Sequence, residues 1–497
     1  MIFIVNILFC ILNIWFVKNY LHIYQLKDYN NVRFLKFFNK KYKIYYIFNI
    51  ILFIFSIFIK NYYILLSINC ICLLYSCFTN INIIKNKKTP LVFTPKIKRL
   101  YAINIFLLII FIFLYKYVIF INIILPFFII FSKFINFYDV LKNRKFIKMA
   151  KDKIKNSNVK IIAITGSNGK TSVKNILSKM LNKKYLALPS PKSFNTPLGI
   201  SKFINESDLG HVDYLILEYG ARHKNDIKKL CHIFGCDYGI ITAIAPQHLQ
   251  TFKTLENIYS AKKELSDFLE EKFCVYNLDN IYTLRMHNNK IGEKIGISIY
   301  QTADIFADNI SIRDYQTNFN LHIENEVYNI TTKLLGDHNV TNIILSTALA
   351  KHLNVDIKDI LIAITQLEFI PHRLELIKTN INIFDDSYNC SLLSAKKSIE
   401  VLQTLPNKKM IATPGIIEAG KDEFKVNSTL GEMCSVFDFV VIIGKHNKDA
   451  LLTGLKNKNY TKKICFAKSL DEAKQYFSLL NSNDNLLLLN DLPDDYY

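Results

Sequence analysis

The stretch 161–177, Ile-Ile-Ala-Ile-Thr-Gly-Ser-Asn-Gly-Lys-Thr-Ser-Val-Lys-Asn-Ile-Leu, constrains this chain more than any other. The apolar run 161–164 reads as a buried strand. Thr165-Gly166-Ser167-Asn168-Gly169 interrupts it, and apolar residues resume at helical spacing at Val173, Ile176 and Leu177. Strand, glycine turn and helix in that order make an anion cradle. Glycines let backbone N–H groups curl inward, and the helix N-terminus adds the positive end of its dipole. Lys170 then reaches the outer phosphates of a nucleotide, and the Thr171 hydroxyl ligates Mg2+. The loop is the short form G-x-x-G-K-T, with Ile164 six positions before Lys170 where the longer phosphate loop has glycine.

From 156 onward, short apolar runs alternate with amphipathic helices, which predicts an α/β fold on a mostly parallel sheet. Tyr-Leu-Ile-Leu at 214–217 reads as a second buried strand, ending in Glu218. A carboxylate at the carboxyl edge of a strand beside the nucleotide strand is well placed for Mg2+. A third strand, 238–244, runs out into Ala-Pro-Gln-His at 245–248, bringing His248 to the same edge. A lone glutamate is ordinarily a surface or helix-start residue, and a lone histidine a packing residue. Three strand ends sharing one edge shift that balance.

Residues 1–145 differ in kind. Apolar segments at roughly 2–17, 44–59, 62–78, 101–115 and 117–134 approach the ~20 residues that cross a bilayer. Basic residues gather in alternate connections, with Arg33, Lys40 and Lys41 after the first segment, Lys87, Lys98 and Arg99 after the third, and Lys142, Arg144 and Lys145 after the fifth. By the positive-inside rule this predicts an all-α region of about five spans in the inner (cytoplasmic) membrane. The bilayer becomes a partner, and the catalytic part lies in the cytoplasm. The net charge of +21 accompanies a chain-wide excess of Ile, Asn, Lys, Phe and Tyr. Lysine is therefore largely background, and no clustered basic helix with interleaved aromatics marks a nucleic-acid partner. The ten cysteines are scattered without a C-x-x-C pair, which argues against a thiolate metal site.

Further motifs join these residues: Asn-Thr-Pro-Leu-Gly (195–199), Leu-Glu-Tyr-Gly-Ala (217–221), Ala-Lys-Lys-Glu (261–264), Gly-Asp-His-Asn-Val-Thr-Asn (336–342), Pro-His-Arg-Leu-Glu (371–375), Asp-Asp-Ser-Tyr-Asn-Cys (385–390) and Asn-Asp-Leu-Pro (490–493). With them the chain resembles the Mur ligase family of ATP-dependent amide-forming enzymes, from about 159 to its end. It is most similar to the members that add D-alanyl-D-alanine to UDP-N-acetylmuramoyl-tripeptide in peptidoglycan synthesis. The resemblance implies a central ATP-binding domain (156–371) and a smaller Rossmann-like α/β domain (372–497).

It also implies that Thr165, Gly166, Ser167, Asn168, Gly169, Lys170, Thr171 and Ser172 hold ATP, with Asn339 and Asn342 on the adenine side and Arg373 and Asp386 as further nucleotide contacts. Thr171 would hold one Mg2+ with the phosphates, and Glu218 and His248 would ligate a second Mg2+. Lys262 would be the carbamylated lysine supporting that metal, although Lys263 competes for the assignment. Asn195, Thr196, Tyr388 and Asn389 would face substrate. Two departures stand out: Asp337 replaces the family's usual arginine, and the usual UDP-binding domain has no counterpart in 1–145.

The chemistry accounts for these groups. A carboxylate must be activated by attack on the ATP γ-phosphate, and cations are needed where the two anions meet. The resulting acyl phosphate must be shielded from water before an amine attacks it, so the last domain should close over the site. Other readings are a ligase of the same fold with a different amino acid or a folylpolyglutamate-type substrate, and a transporter or membrane scaffold carrying a nucleotide domain.

Overall fold

The computed structural model describes residues 14, 17–27, 29–37, 91–113, 124–191, 194–247, 249–388, 390–417, 419 and 422–491. The chain divides into two compact units, Met1–Arg144 and Lys145–Tyr497.

In the first unit, Val17, Leu21, Tyr24, Phe34, Ile97, Leu100 and Ile135 bury one another. Helix α1 (Pro95–Phe113) opens on Lys96, Lys98 and Arg99. Lys96 and Arg99 pair with Asp139 of helix α2 (Ile124–Lys155) at 3.2 and 2.5 Å. The expected multi-pass placement in the inner membrane is not upheld. Among the described residues, no helix is long and apolar enough to cross a membrane. The segment expected to end as a span near 134 instead continues as α2 through Asp139, Lys142, Arg144, Lys145 and Lys148 to Lys155. Charges repeated along a helix are costly in hydrocarbon. The described residues thus give no support to a bilayer partner. The segments 44–59 and 62–78, most of 2–17, and the parts of 101–115 and 117–134 that fall in 114–123 lie outside the described residues.

The second unit holds two sheets. The larger contains β1 (Lys160–Thr165), β2 (Ala187–Pro189), β3 (Tyr214–Glu218), β4 (Tyr238–Ile241), β5 (Cys274–Asn277), β6 (Lys294–Ser298), β7 (Ile305–Arg313), β8 (Gln316–Ile323) and β9 (Glu326–Thr332). Their order is β2-β3-β1-β4-β5-β6-β7-β8-β9. Pairing is parallel from β2 to β7 and antiparallel through β8 and β9. Successive side chains of β1 alternate between two apolar layers, which is why its sequence is apolar throughout. Ile162 and Ile164 pack with Val173, Ile176 and Leu177 of α3 (Lys170–Leu181). Ile161 and Ala163 pack with residues of α4 (Pro197–Glu206), α5 (Asp226–Phe234) and α6 (Leu255–Leu269). Helix α7 (Asp337–His352) adds Val340, Ile343 and Ile344 to the α3 side.

The smaller sheet contains β10 (Glu375–Lys378), β11 (Asn382–Asp386), β12 (Lys409–Thr413), β13 (Phe439–Ile443), β14 (Lys463–Ala467) and β15 (Asn485–Leu489), in the order β10-β11-β15-β12-β13-β14. Only β10 runs antiparallel. Helix α8 (Leu392–Thr404) covers one face through Ala395, Ile399 and Leu402. The α/β architecture with parallel sheets is as expected. The consequence for function lies in the larger sheet: β1 sits between β3 and β4, so the carboxyl ends of all three meet at one edge.

Candidate functional site

At that edge lies a cleft of about 510 Å3 whose lining includes Ser167 to Ser172, Asn195, Thr196, Glu218, Lys262, Arg373 and Tyr388. The loop after β1 is held from behind. Thr165 Oγ1 donates to Tyr219 O at 2.9 Å, and Ser167 N donates to Ala243 O at 2.7 Å. Ser167 Oγ donates to Ala245 O and accepts from Ala245 N. Gly166 (φ +148°) and Gly169 (φ +82°) occupy conformations that favour glycine. A Cβ on Gly166 would collide with Thr242 Oγ1, and one on Gly169 would lie 2.6 Å from Asn342 Oδ1. Gly169 precedes α3, so Lys170 and Thr171 form its first turn, where free N–H groups face the cleft.

Lys170 Nζ folds back to donate to Gly166 O at 2.6 Å and Ser167 O at 3.2 Å. Burial lowers its pKa to about 8; Glu218 works against that shift and Arg373 adds to it. Glu218, at the end of β3, is 1% exposed and its Oε1 lies 2.7 Å from Lys174 Nζ. This is an ion pair without hydrogen-bond alignment, since that buried oxygen accepts no hydrogen bond. Lys174 escaped the sequence reading. Its signal was the four-residue step from Lys170, which places both lysines on one face of α3.

Lys262 and Lys263 are separated cleanly by their surroundings. Lys262 is buried and lines the cleft, and burial, reinforced by Lys170, holds its amine well below the usual lysine range. Lys263 is half-exposed and pairs with Asp267 at 2.5 Å. Arg373 stacks its guanidinium over the Tyr388 ring at 4.3 Å, and both face the cleft. Asn195 and Thr196 lie on the same lining, and Thr196 caps α4 by accepting from Gly199 N.

Other expected residues stand behind the cleft. Asn342 Nδ2 donates to Asn339 Oδ1, Asn339 Nδ2 donates to Leu335 O, and both side chains are buried. Asp386 accepts from Ser398 Oγ at 2.6 Å, and burial raises its carboxyl pKa. His248 and Asn389 lie outside the described residues, although Gln247 beside the former lines the cleft. Arg222, His223, Asp226 and Lys229 also line it, from the loop after β3 and the start of α5, and sequence reasoning missed them.

Contacts that join the sheets include Asn382 Nδ2 donating to Tyr315 OH at 2.9 Å and two others nearer the cleft. Asn168 Nδ2 lies 3.4 Å from Ser391 Oγ. Asp337, where the family's arginine was expected, pairs with Lys397 at 2.8 Å and accepts from Tyr300 OH at 3.1 Å. That residue therefore bridges to α8 and makes no cationic phosphate contact.

A glycine loop opening a helix, buried lysines and an acidic strand end share one sheet edge, the arrangement of a nucleotide-binding α/β protein. The sequence profile of the Mur ligase middle domain matches residues 164–350. The UDP-N-acetylmuramoyl-tripeptide--D-alanyl-D-alanine ligase of Buchnera aphidicola subsp. Baizongia pistaciae is 30% identical over 329 residues, covering 62% of this chain and 71% of the relative. The ligase of the same description from Escherichia coli is 25% identical over 295 residues, covering 58% and 65%. Among solved structures, MurF from Acinetobacter baumannii aligns with TM-score 0.63 at 23% identity over 70% of this chain and 77% of that one. MurF from Thermotoga maritima in complex with ADP aligns with TM-score 0.62 at 24% identity over 70% and 80%. The chain belongs to the Mur ligase family, whose members are ATP-dependent ligases.

Proposed function

We propose that this protein uses ATP to join the terminal carboxylate of UDP-N-acetylmuramoyl-tripeptide to D-alanyl-D-alanine. The convergence of Lys170, Glu218, Lys262 and Arg373 on one cleft, in a chain 30% identical to a ligase of that description, carries the reading. Residues 156–371 supply the ATP site, and 372–497 supply the closing domain.

The substrate carboxylate attacks the γ-phosphorus, forming an acyl phosphate and releasing ADP. Lys170 swings from the carbonyls of Gly166 and Ser167 to the phosphates, and its charge offsets the repulsion between the two anions. The loop amides from Gly166 to Ser172, apart from that of Ser167, which donates to Ala243 O, hold the remaining phosphate oxygens. Asn339 and Asn342 brace the loop from behind Gly169, toward the adenine, and Asp386 and Arg373 contribute from the second sheet. The amine then attacks the acyl carbon, phosphate leaves, and the amine gives up its proton. Arg373, steadied on Tyr388, covers the cleft against water, while Asn195, Thr196 and Asn389 face the substrates.

The donor set suits Mg2+: the Thr171 hydroxyl and Glu218 carboxylate are hard oxygen ligands, and Glu218 Oε1 is buried with no hydrogen bond. His248 is assigned as a further ligand. When bound, the ion screens the phosphate charge. A neutral Lys262 amine, favoured by burial, is the form that takes up CO2 as a carbamate.

Phosphate release by the full chain should require ATP, UDP-tripeptide and D-alanyl-D-alanine together. Equal release without the dipeptide would refute the proposal.

A further inference from the structure

Lys174 takes no part in the phosphate loop, yet it is the cation closest to the one carboxylate that β3 delivers to the cleft. Its side chain is 2% exposed and that of Glu218 is 1% exposed, with 2.7 Å between charged atoms. Lys170 also acts on this carboxylate, and Lys262, Arg222, Lys229 and Arg373 line the surrounding cleft. Against these cations the lining offers only Glu218 and Asp226 as acids, and Asp226 Oδ2 is occupied by the backbone N–H groups of Arg222 and His223.

A bare divalent ion approaching Glu218 would meet this cationic wall and would have to share the carboxylate with an ammonium already in contact. A nucleotide triphosphate reverses the balance by bringing several negative charges to the same spot. We infer that Lys174 is a positioning residue that reserves Glu218 for a divalent ion arriving with a nucleotide, and turns the ion away otherwise. This rests on the reading of Glu218 as a metal carboxylate. Two physical effects share one sign here. Removing Lys174 removes repulsion toward the ion and also leaves a buried carboxylate in need of a cation.

The test is Mn2+ binding to the full chain, followed by the electron paramagnetic resonance signal of the free ion, with and without a non-hydrolysable ATP analogue. Wild-type protein should bind Mn2+ at Glu218 only with the analogue. Lys174→Met, or the smaller change Lys174→Gln if the first does not fold, should bind Mn2+ without nucleotide at least about tenfold more tightly than wild type. Adding Glu218→Gln to either variant should abolish that gain. A role confined to stability would weaken folding and bring no new Mn2+ site.

The inference is overturned if wild-type protein binds Mn2+ without nucleotide through a site that Glu218→Gln removes. It is equally overturned if a folded Lys174 variant gains no binding. A different result, Glu218→Gln binding Mn2+ as tightly as wild type with the analogue present, would remove Glu218 from the metal site and so refute the underlying reading.

Discussion

Replacing Glu218 with glutamine removes the carboxylate 2.7 Å from the Lys174 ammonium, in a site with almost no access to water. Replacing Lys174 with methionine takes the nearest cation from a buried carboxylate that Lys170 still faces. Breaking a buried pair from either side typically costs about 3–5 kcal/mol, because the remaining charge keeps its desolvation penalty and loses its partner. Removing both charges while keeping the volume is usually close to neutral. Glu218→Gln and Lys174→Met should therefore each lower the unfolding free energy of the full chain by about 3 kcal/mol or more. The double variant should recover most of that loss, giving a coupling energy of about 3 kcal/mol or larger. Urea unfolding followed by circular dichroism, without nucleotide or divalent ion, reads all four corners of the cycle. Single losses below about 1 kcal/mol, or a double variant whose loss equals the sum of the singles, would show that the two charges are solvated or compensated elsewhere.

Lys170→Ala should abolish ATP turnover while leaving the circular dichroism spectrum unchanged. Because burial lowers Lys170 to about 8, acylation of its amine in nucleotide-free protein should be half-maximal near that pH and suppressed by bound nucleotide. The unfolded chain holds this proton more tightly than the fold, so the Lys170 contribution makes stability rise between about pH 8 and the ordinary lysine value of 10.5. Lys262→Ala should cost at least about a hundredfold in kcat, whereas Lys263→Ala, which loses only its pair with Asp267, should stay near wild type. Lys397→Met should raise the KM for the dipeptide more than it weakens ADP binding, and destabilise by about 1 kcal/mol, since the Asp337–Lys397 pair is partly exposed. Burial works against ionised Asp337, but Lys397 outweighs it and lowers the pKa. This stabilisation is thus full above the ordinary carboxylate pKa and is lost as pH falls through the lowered one.

The phosphate loop was legible in the sequence because everything it needs is local: an apolar strand, two glycines in unusual conformations and a helix start within ten residues. The apolar runs 410–412 and 486–489 lie within β12 and β15 for a similar reason, since buried parallel strands are apolar on both faces. The antiparallel strands β7 to β9 alternate polar and apolar residues and carried no such run. Lys174 was hidden because its partner comes from β3, and only the sheet order puts β3 beside β1. Asp337 looked like a lost phosphate contact, and its partner Lys397 lies sixty positions away. The membrane reading failed for a compositional reason. A chain rich in Ile and Phe throughout produces apolar runs near the length of a span, while α2 carries charge from Lys133 and Asp139 onward to its end.

The central claim is that a substrate carboxylate attacks ATP in the cleft formed by Lys170, Glu218 and Lys262. Supplying UDP-tripeptide labelled with 18O in its terminal carboxylate and analysing the released phosphate by mass spectrometry tests it most directly. One 18O atom per phosphate is the predicted result. Phosphate carrying no label, formed at the rate of amide product, would contradict the account.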